Sequence, residues 1–275
     1  IKDTINSTLS GLFTRNVFVI VSPKQKQTVV NQLPTLQGID SSKTLINPVV
    51  PQLYPILVAG CDINTVLRSV RTTDKINRGD ILNAMTDIEG FDLRGGKKNF
   101  PTLKLKAGRN LNASDASTND VVISSLLENA PVHLRVGDTI VVQSVDGSVT
   151  RVLKVVGFYD GESQDGNPNF AGVLADTTIT EQLGGSFTLE VFSLKIDPNA
   201  LPAFKQHIDK TVPSAIIFSV IDIDALINQV LNNLVIMLTT VASLAMIAGF
   251  IIIANAVALA MLERRREIGL SLIHI

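Results

Sequence analysis

The polarity pattern divides the chain into two unequal parts. Up to about residue 222, short apolar runs alternate with polar turns; residues 234–262 then pass without a single charge. As a helix those roughly 29 residues span about 43 Å, more than the hydrocarbon core of a bilayer. Their polar members are only Thr239, Thr240, Ser243 and Asn255. A buried helix in a soluble domain usually runs about 8–20 residues and keeps a polar stripe. The pattern therefore predicts a membrane-spanning helix, preceded by two or three turns from Ala225 at the same period.

The first part reads as a mixture of strands and helices. Ile5, Leu9, Leu12 and Phe13 recur at helical spacing and predict a short opening helix. Residues 16–22 form a β-branched and aromatic run stopped by Pro23, a buried strand, followed by a helix over 24–33 that Pro34 ends. Pro48, Pro51 and Pro55 mark a turn-rich stretch before a strand over 54–62, and residues 64–92 fit neither period. Residues 103–106 alternate with period two, predicting a half-buried strand with Lys104 and Lys106 in solvent. Residues 121–123 read as a core strand, and 124–128 as the start of a helix that Pro131 closes.

The clearest local signal is a hairpin of residues 139–145 and 148–156 about Asp146 and Gly147, a dipeptide suited to a two-residue turn. Residues 159–169 read as an exposed loop. A strand over 187–196, a helix over 198–210 with Pro202 in its first turn, and a strand over 215–220 complete the domain. Strands and helices are interspersed but their crossovers are irregular, so the pattern predicts an α+β domain over 1–222 and a long helix over 223–269.

Composition narrows the function. The formal net charge of −1 gives no field that would attract nucleic acid. The single cysteine, Cys61, excludes an internal disulfide and, at the end of the apolar run 56–60, is expected in the core. The chain opens with neither a basic region nor an apolar signal segment, and is expected to begin inside a longer protein. His133, His207 and His274 lie on separate elements without a shared spacing, and the first two are expected at the surface, so no catalytic or metal-binding constellation is read and no cofactor is expected. Gly95, Gly96, Lys97 and Lys98 lack the earlier glycine and the following Ser or Thr of a phosphate-binding loop. Any energy source is then another subunit.

Charge also sets orientation. Arg264, Arg265 and Arg266 follow the apolar run directly, whereas Asp222 and Asp224 precede it; positive residues mark the cytoplasmic side, placing residues 1–222 outside the cytoplasm. Small residues four apart, Ala245 with Gly249, Ala254 with Ala258 and Ala256 with Ala260, allow another helix to approach closely, and Asn255 can hydrogen-bond it.

Residues 258–269, from Ala258 through Glu263, Arg264, Arg265, Arg266 and Glu267 to Gly269, closely resemble the permease subunits of ABC transporters in the MacB/FtsX/LolC-like superfamily, especially the YbbP-like permeases. Residues 107–109, 134–140 and 155–158 look like that family's periplasmic core domain, in the family's order. The resemblance covers most of residues 15–269, weakly over 64–100. It implies an α+β extracytoplasmic domain of the MacB periplasmic core type held between two membrane helices, the second of which is present here. It further implies a bacterial inner membrane location, and contact of Glu263, Arg264, Arg265, Arg266, Glu267 and Gly269 with a cytoplasmic ABC ATPase subunit.

The implied function is that of a permease subunit coupling a partner's ATP hydrolysis to movement of the outer domain, for export or extraction of a substrate. Ala245, Gly249, Asn255, Ala256 and Ala260 would pack on other membrane helices of the same permease or a second copy, within membrane lipid. After Gly269 the family continues differently, so residues 270–275 are expected to be a non-native tail. The alternatives are a single-pass membrane-anchored sensor or ligand-binding protein and a membrane-anchored periplasmic enzyme.

Overall fold

The computed structural model describes residues 14–101, 103–163 and 171–273. The helix expected over 1–13, most of the loop expected over 159–169, and His274 lie outside them. The chain packs as two units, one ending at Ile221 and one running from Asp222.

In chain order the elements of the first unit are β1 (Val17–Val21), α1 (Lys26–Gln32), β2 (Leu45–Val50), β3 (Tyr54–Val58), β4 (Cys61–Asp62), α2 (Ile63–Ser69), α3 (Arg78–Asn83), β5 (Ile88–Phe91) and β6 (Leu103–Gly108). They continue with β7 (Asp120–Ser124), β8 (Thr139–Gln143), β9 (Thr150–Ser163), β10 (Val173–Asp176), α4 (Thr177–Gly184), β11 (Leu189–Leu194), α5 (Leu201–Thr211) and β12 (Ile216–Ser219). One sheet joins the strands in the order β12-β1-β11-β2-β5-β10-β7-β9-β8-β3-β4, with β6 on β9. The β5–β10 and β7–β9 pairs are parallel and the other pairs antiparallel. The domain is α+β.

Alternation along the central strands shows why their sequences read as unbroken apolar runs. Val121 and Ile123 of β7 and Val173 and Ala175 of β10 join one core with Ile81 of α3 and Ile179 and Leu183 of α4. Val122 and Leu174, between them, point the other way into a cluster with Phe91, Leu111 and Val156. A sheet buried on both faces loses its polar face. A third cluster packs Val17, Val19 and Val21 of β1 and Phe192 of β11 on Val29 of α1 and Leu201, Phe204 and Ile208 of α5.

Several sequence expectations are corrected. Pro48 lies inside β2 rather than in a turn: β5 pairs only with Val49 and Val50, so no ladder on that side is broken at the proline. The loop of the β8–β9 hairpin is longer than two residues. Ser144 N–H still pairs with Val149 O at 2.8 Å, and Gly147, at φ 73°, donates to Ser144 O. Asp146 Oδ1 ties this turn by accepting from Ser144 Oγ, Ser148 N and Ser148 Oγ.

Strand β9 continues through Ser163, where an exposed loop was expected from Tyr159. Tyr159 is buried and its hydroxyl donates to Ala171 O at 3.0 Å. Leu105 of β6 is exposed together with its two lysines. The helix expected from residue 124 is a single 3-10 turn, Ser125–Glu128. Cys61 is exposed rather than buried, because the turn through Ala59 (φ 48°) and Gly60 (φ 77°) carries the chain out of the core onto β4 at the sheet's edge. His133 is exposed, as expected; His207 is half-buried and meets Gln32 Oε1 at 2.9 Å.

Helix α6 (Val220–Ile273) is continuous over 54 residues, about 81 Å at helical rise. Val220 and Ile221 pack with the first unit. Gln229–Leu262 is long and apolar enough to cross a membrane, with a mean hydropathy of 2.4 and none of it buried.

Candidate functional site

The stretches 107–109, 134–140 and 155–158, far apart in sequence, fold into one place. Strand β6 ends against β9 with Gly108 opposite Gly157. Arg109 N–H donates to Val156 O at 2.9 Å, Gly137 N–H to Val155 O at 2.8 Å and Val155 N–H to Asp138 O at 2.9 Å. Both glycines are required by closeness. A Cβ on Gly108, which also sits at φ 74°, would strike Val156 O, and one on Gly157 would strike Arg109 O.

From this junction Arg109 reaches into the following loop. Its Nη1 donates to Asp115 Oδ2 at 2.6 Å, while its Nη2 donates to Asp115 Oδ1 at 2.8 Å and to Asp120 Oδ2 at 2.9 Å. Asp115 is buried by local design. It stands third after Asn112 in a capping box, accepting Asn112 N–H at 2.8 Å, while Asn112 accepts Ser114 N–H at 2.9 Å. Burial pushes the Asp115 carboxyl up, but the Arg109 and Asn112 hydrogen bonds outweigh it and hold the group below the usual carboxylate range. The Asp115 bond in turn keeps the Arg109 guanidinium more firmly charged, against its own desolvation.

A cleft of about 340 Å³ opens beside this clamp, with Arg109, Asp120, Val136, Gly137 and Lys154 on its walls. With its donors already turned to two carboxylates, Arg109 holds the loop and leaves little unsatisfied charge for a ligand. The sequence pointed to Arg109 through the resemblance and missed Asp115 and Asp120. The signal available was the Asn112-to-Asp115 capping spacing in a loop otherwise rich in small polar residues.

A second cleft, of about 630 Å³, lies between the loop carrying Leu36 and Gly38 and helix α5, with Asp197, Asn199, Phe204 and His207 around it. Among the described residues no group of three or more His, Cys, Asp or Glu side chains is placed to hold a metal ion.

The residues singled out near the C-terminus all lie on α6. Arg264 and Arg265 are exposed; for Glu263, Arg266, Glu267 and Gly269 the structure gives the helical backbone alone. Ala245, Asn255, Ala256 and Ala260 are exposed, and a Cβ on Gly249 would meet nothing within 4 Å. Inside the apolar run, Thr239, Thr240 and Ser243 donate to Val235 O, Ile236 O and Thr239 O at 2.8 Å each, so these hydroxyls are satisfied within the helix.

Compared with family models and with curated proteins, the sequence matches none. Among solved structures, the periplasmic region of MacB from Actinobacillus actinomycetemcomitans is similar over 84% of this chain and 98% of that one, at 16% identity and a TM-score of 0.43. The extracellular domain of the noncanonic ABC-type transporter YknZ from Gram-positive bacteria is similar over 74% of this chain and 100% of that one, at 10% identity and a TM-score of 0.38. Likeness at these levels fixes neither family nor function.

Proposed function

We propose that this chain is part of the membrane subunit of an ABC-type transporter, with residues 1–222 as its extracytoplasmic domain and α6 as the membrane helix that connects it to a cytoplasmic ATPase subunit. The observation that carries the reading is the continuity of α6. One helix begins in the domain's packing at Val220 and Ile221, contains the apolar run Gln229–Leu262, and continues through exposed Arg264 and Arg265. A helix uninterrupted by proline or glycine pairs transmits displacement along its axis with little internal give. The resemblance of residues 258–269 to ABC permeases supports the same reading and names the contact.

At that contact Glu263 and Glu267, four apart, share one helix face, and the arginines offer rigid donor forks to carboxylates of a partner. The same charges satisfy the positive-inside rule, so membrane orientation and partner binding draw on one segment. Ala245, Gly249, Asn255, Ala256 and Ala260 are the proposed contacts to other membrane helices or a second copy. The domain would then act on a substrate at or outside the membrane, in export or extraction.

The test is Arg264, Arg265 and Arg266 replaced together by Ala in the intact membrane subunit, reconstituted in lipid with its ATPase. Expected is loss of the subunit's stimulation of ATP hydrolysis, with the domain still folded and the helix still inserted. Unchanged stimulation removes the coupling role and leaves a single-pass anchor for a sensor or ligand-binding domain as the better reading.

A further inference from the structure

We propose that Asn16 is a positioning residue, the point at which the start of α6 is fastened both to the sheet and to the α5 side of the domain. The proposal rests on the coupling role assigned to α6 above. Asn16 immediately precedes β1 and is 7% exposed. Its backbone oxygen accepts the N–H of Val220, the first residue of α6, at 3.0 Å, and its own N–H donates to Leu194 O at 2.9 Å. Its side chain makes a two-point bridge to one residue: Nδ2 donates to Ile196 O at 2.8 Å and Oδ1 accepts Ile196 N–H at 2.8 Å.

Each of these bonds meets a backbone need. The first N–H groups of a helix have no partner within it, and Asn16 supplies one to α6. Ile196 lies just beyond β11, where ladder pairing ends, and the Asn16 amide copies a strand's paired donor and acceptor there. The connection continues outward. Asp197, next in the chain, donates its N–H to Gly38 O at 2.8 Å, and both residues line the cleft against α5. A continuous path therefore runs from the first amide of α6 through Asn16 and Ile196 to a wall of the 630 Å³ cleft. A substitution at Asn16 keeps the main-chain bond to Val220 and cuts the path at the bridge to Ile196: Asp keeps the acceptor without the donor, Ser is too short for both, and Ala has neither.

Spatial continuity alone does not establish coupling, so the experiment must separate transmission from stability. In the intact membrane subunit with its ATPase, Asn16→Ala is compared with Val29→Ala, a cavity in the same apolar cluster but off the path, at temperatures equally far below each variant's Tm. Expected is a loss of ATPase stimulation of about fivefold or more for Asn16→Ala, the lower end of ordinary coupling energies, with Val29→Ala near wild type. Equal losses in the two variants, or none in Asn16→Ala, overturn the proposal. If Asn16→Ala retains coupling while the triple arginine variant loses it, this proposal alone falls; if both retain it, the coupling reading falls. A measurement without substitutions covers the case of a variant that does not fold. Binding of a non-hydrolysable ATP analogue to the partner must change hydrogen-exchange protection at Val220, Ile196 and Asp197 together, and a change confined to Val220 overturns the proposal.

Discussion

Arg109 and Asp115 meet through two parallel hydrogen bonds of 2.6 and 2.8 Å, an end-on grip between a guanidinium that is 46% exposed and a carboxylate that is 3% exposed. The asymmetry decides what a substitution costs. Losing the arginine strips the buried carboxylate of both guanidinium bonds, whereas the exposed guanidinium loses little by returning to water. Arg109→Lys keeps the charge and loses the fork, which also reaches Asp120. It is expected to destabilise the domain by about 2 kcal/mol, and Arg109→Ala by somewhat more. Denaturant unfolding of the intact chain in detergent measures this; a change within about 0.5 kcal/mol, typical of a surface ion pair, would mean that the clamp is dispensable.

The same carboxylate predicts an acid limb. Its folded pKa is lowered, with the Arg109 bonds outweighing burial, so its contribution is complete above the unfolded value of about 3.9. The contribution is lost as pH falls from there through the lower folded value. Asp115→Asn should therefore be less stable than the parent at pH 7, and the difference should shrink as pH drops below about 4. Tm measured for both proteins from neutrality down to about pH 2.5, well below the unfolded value, is the check, and a gap that stays constant down to that pH contradicts the assignment. Asp146 is held at about 2 by Ser144 and Ser148, but it is fully exposed and adds only a minor term in the same direction.

Much of the domain was legible because its strands carry β-branched runs bounded by turn residues: β1, β7, β8, β11 and β12 were all read near their observed positions. The failures have physical causes. Strand β2 hid behind Pro48, which is tolerated where β5 pairing has not yet begun. Strands β5 and β10 are no shorter than β12, but they mix their apolar residues with Glu89, Gly90 and Asp176, so neither shows a β-branched run, and both lie at the sheet's centre, where neighbours on both sides stabilise them. Cys61 was misread because apolar residues precede it, whereas its exposure is set by a positive-φ turn at Ala59 and Gly60. Arg109 was reached by resemblance; its partners Asp115 and Asp120 were not, since a clamp across a loop leaves no periodic trace. The convergence of the three resembling stretches at Gly108 and Gly157 is a property of strand pairing that sequence order conceals.

That convergence makes the two glycines unequal to others in the chain. Gly157→Ala places a methyl against the Arg109 carbonyl, with Arg109 C and N only 3.1 and 3.2 Å away. Backbone atoms cannot step aside as a flexible side chain does, so a loss of about 1–3 kcal/mol is expected. Gly249→Ala has open space around it and should not destabilise the chain itself, since Ala is the better helix former. If another helix packs at Ala245 and Gly249, however, a larger residue there should weaken assembly in the membrane. Unfolding of Gly157→Ala and cross-linking yield of Gly249→Leu in lipid test the two halves separately; a stable Gly157→Ala would show that the β6–β9 junction has slack.

Cys61 offers a direct test of orientation. It is the sole cysteine of these 275 residues and is exposed on β4, so no thiol of this stretch competes with it and no burial shields it from a reagent in solution. If the domain lies outside the cytoplasm, a membrane-impermeant maleimide added to intact spheroplasts should label Cys61 without permeabilisation. In a Cys61→Ser background, Arg265→Cys, on the exposed helix beyond the apolar run, should be labelled only after the membrane is opened. Removing one of three adjacent arginines leaves two to hold the orientation, so the second variant reports topology without resetting it. Labelling of Arg265→Cys in sealed cells together with protection of Cys61 would invert the topology, and the proposed contact of Arg264 and Arg265 with a cytoplasmic ATPase would fall with it.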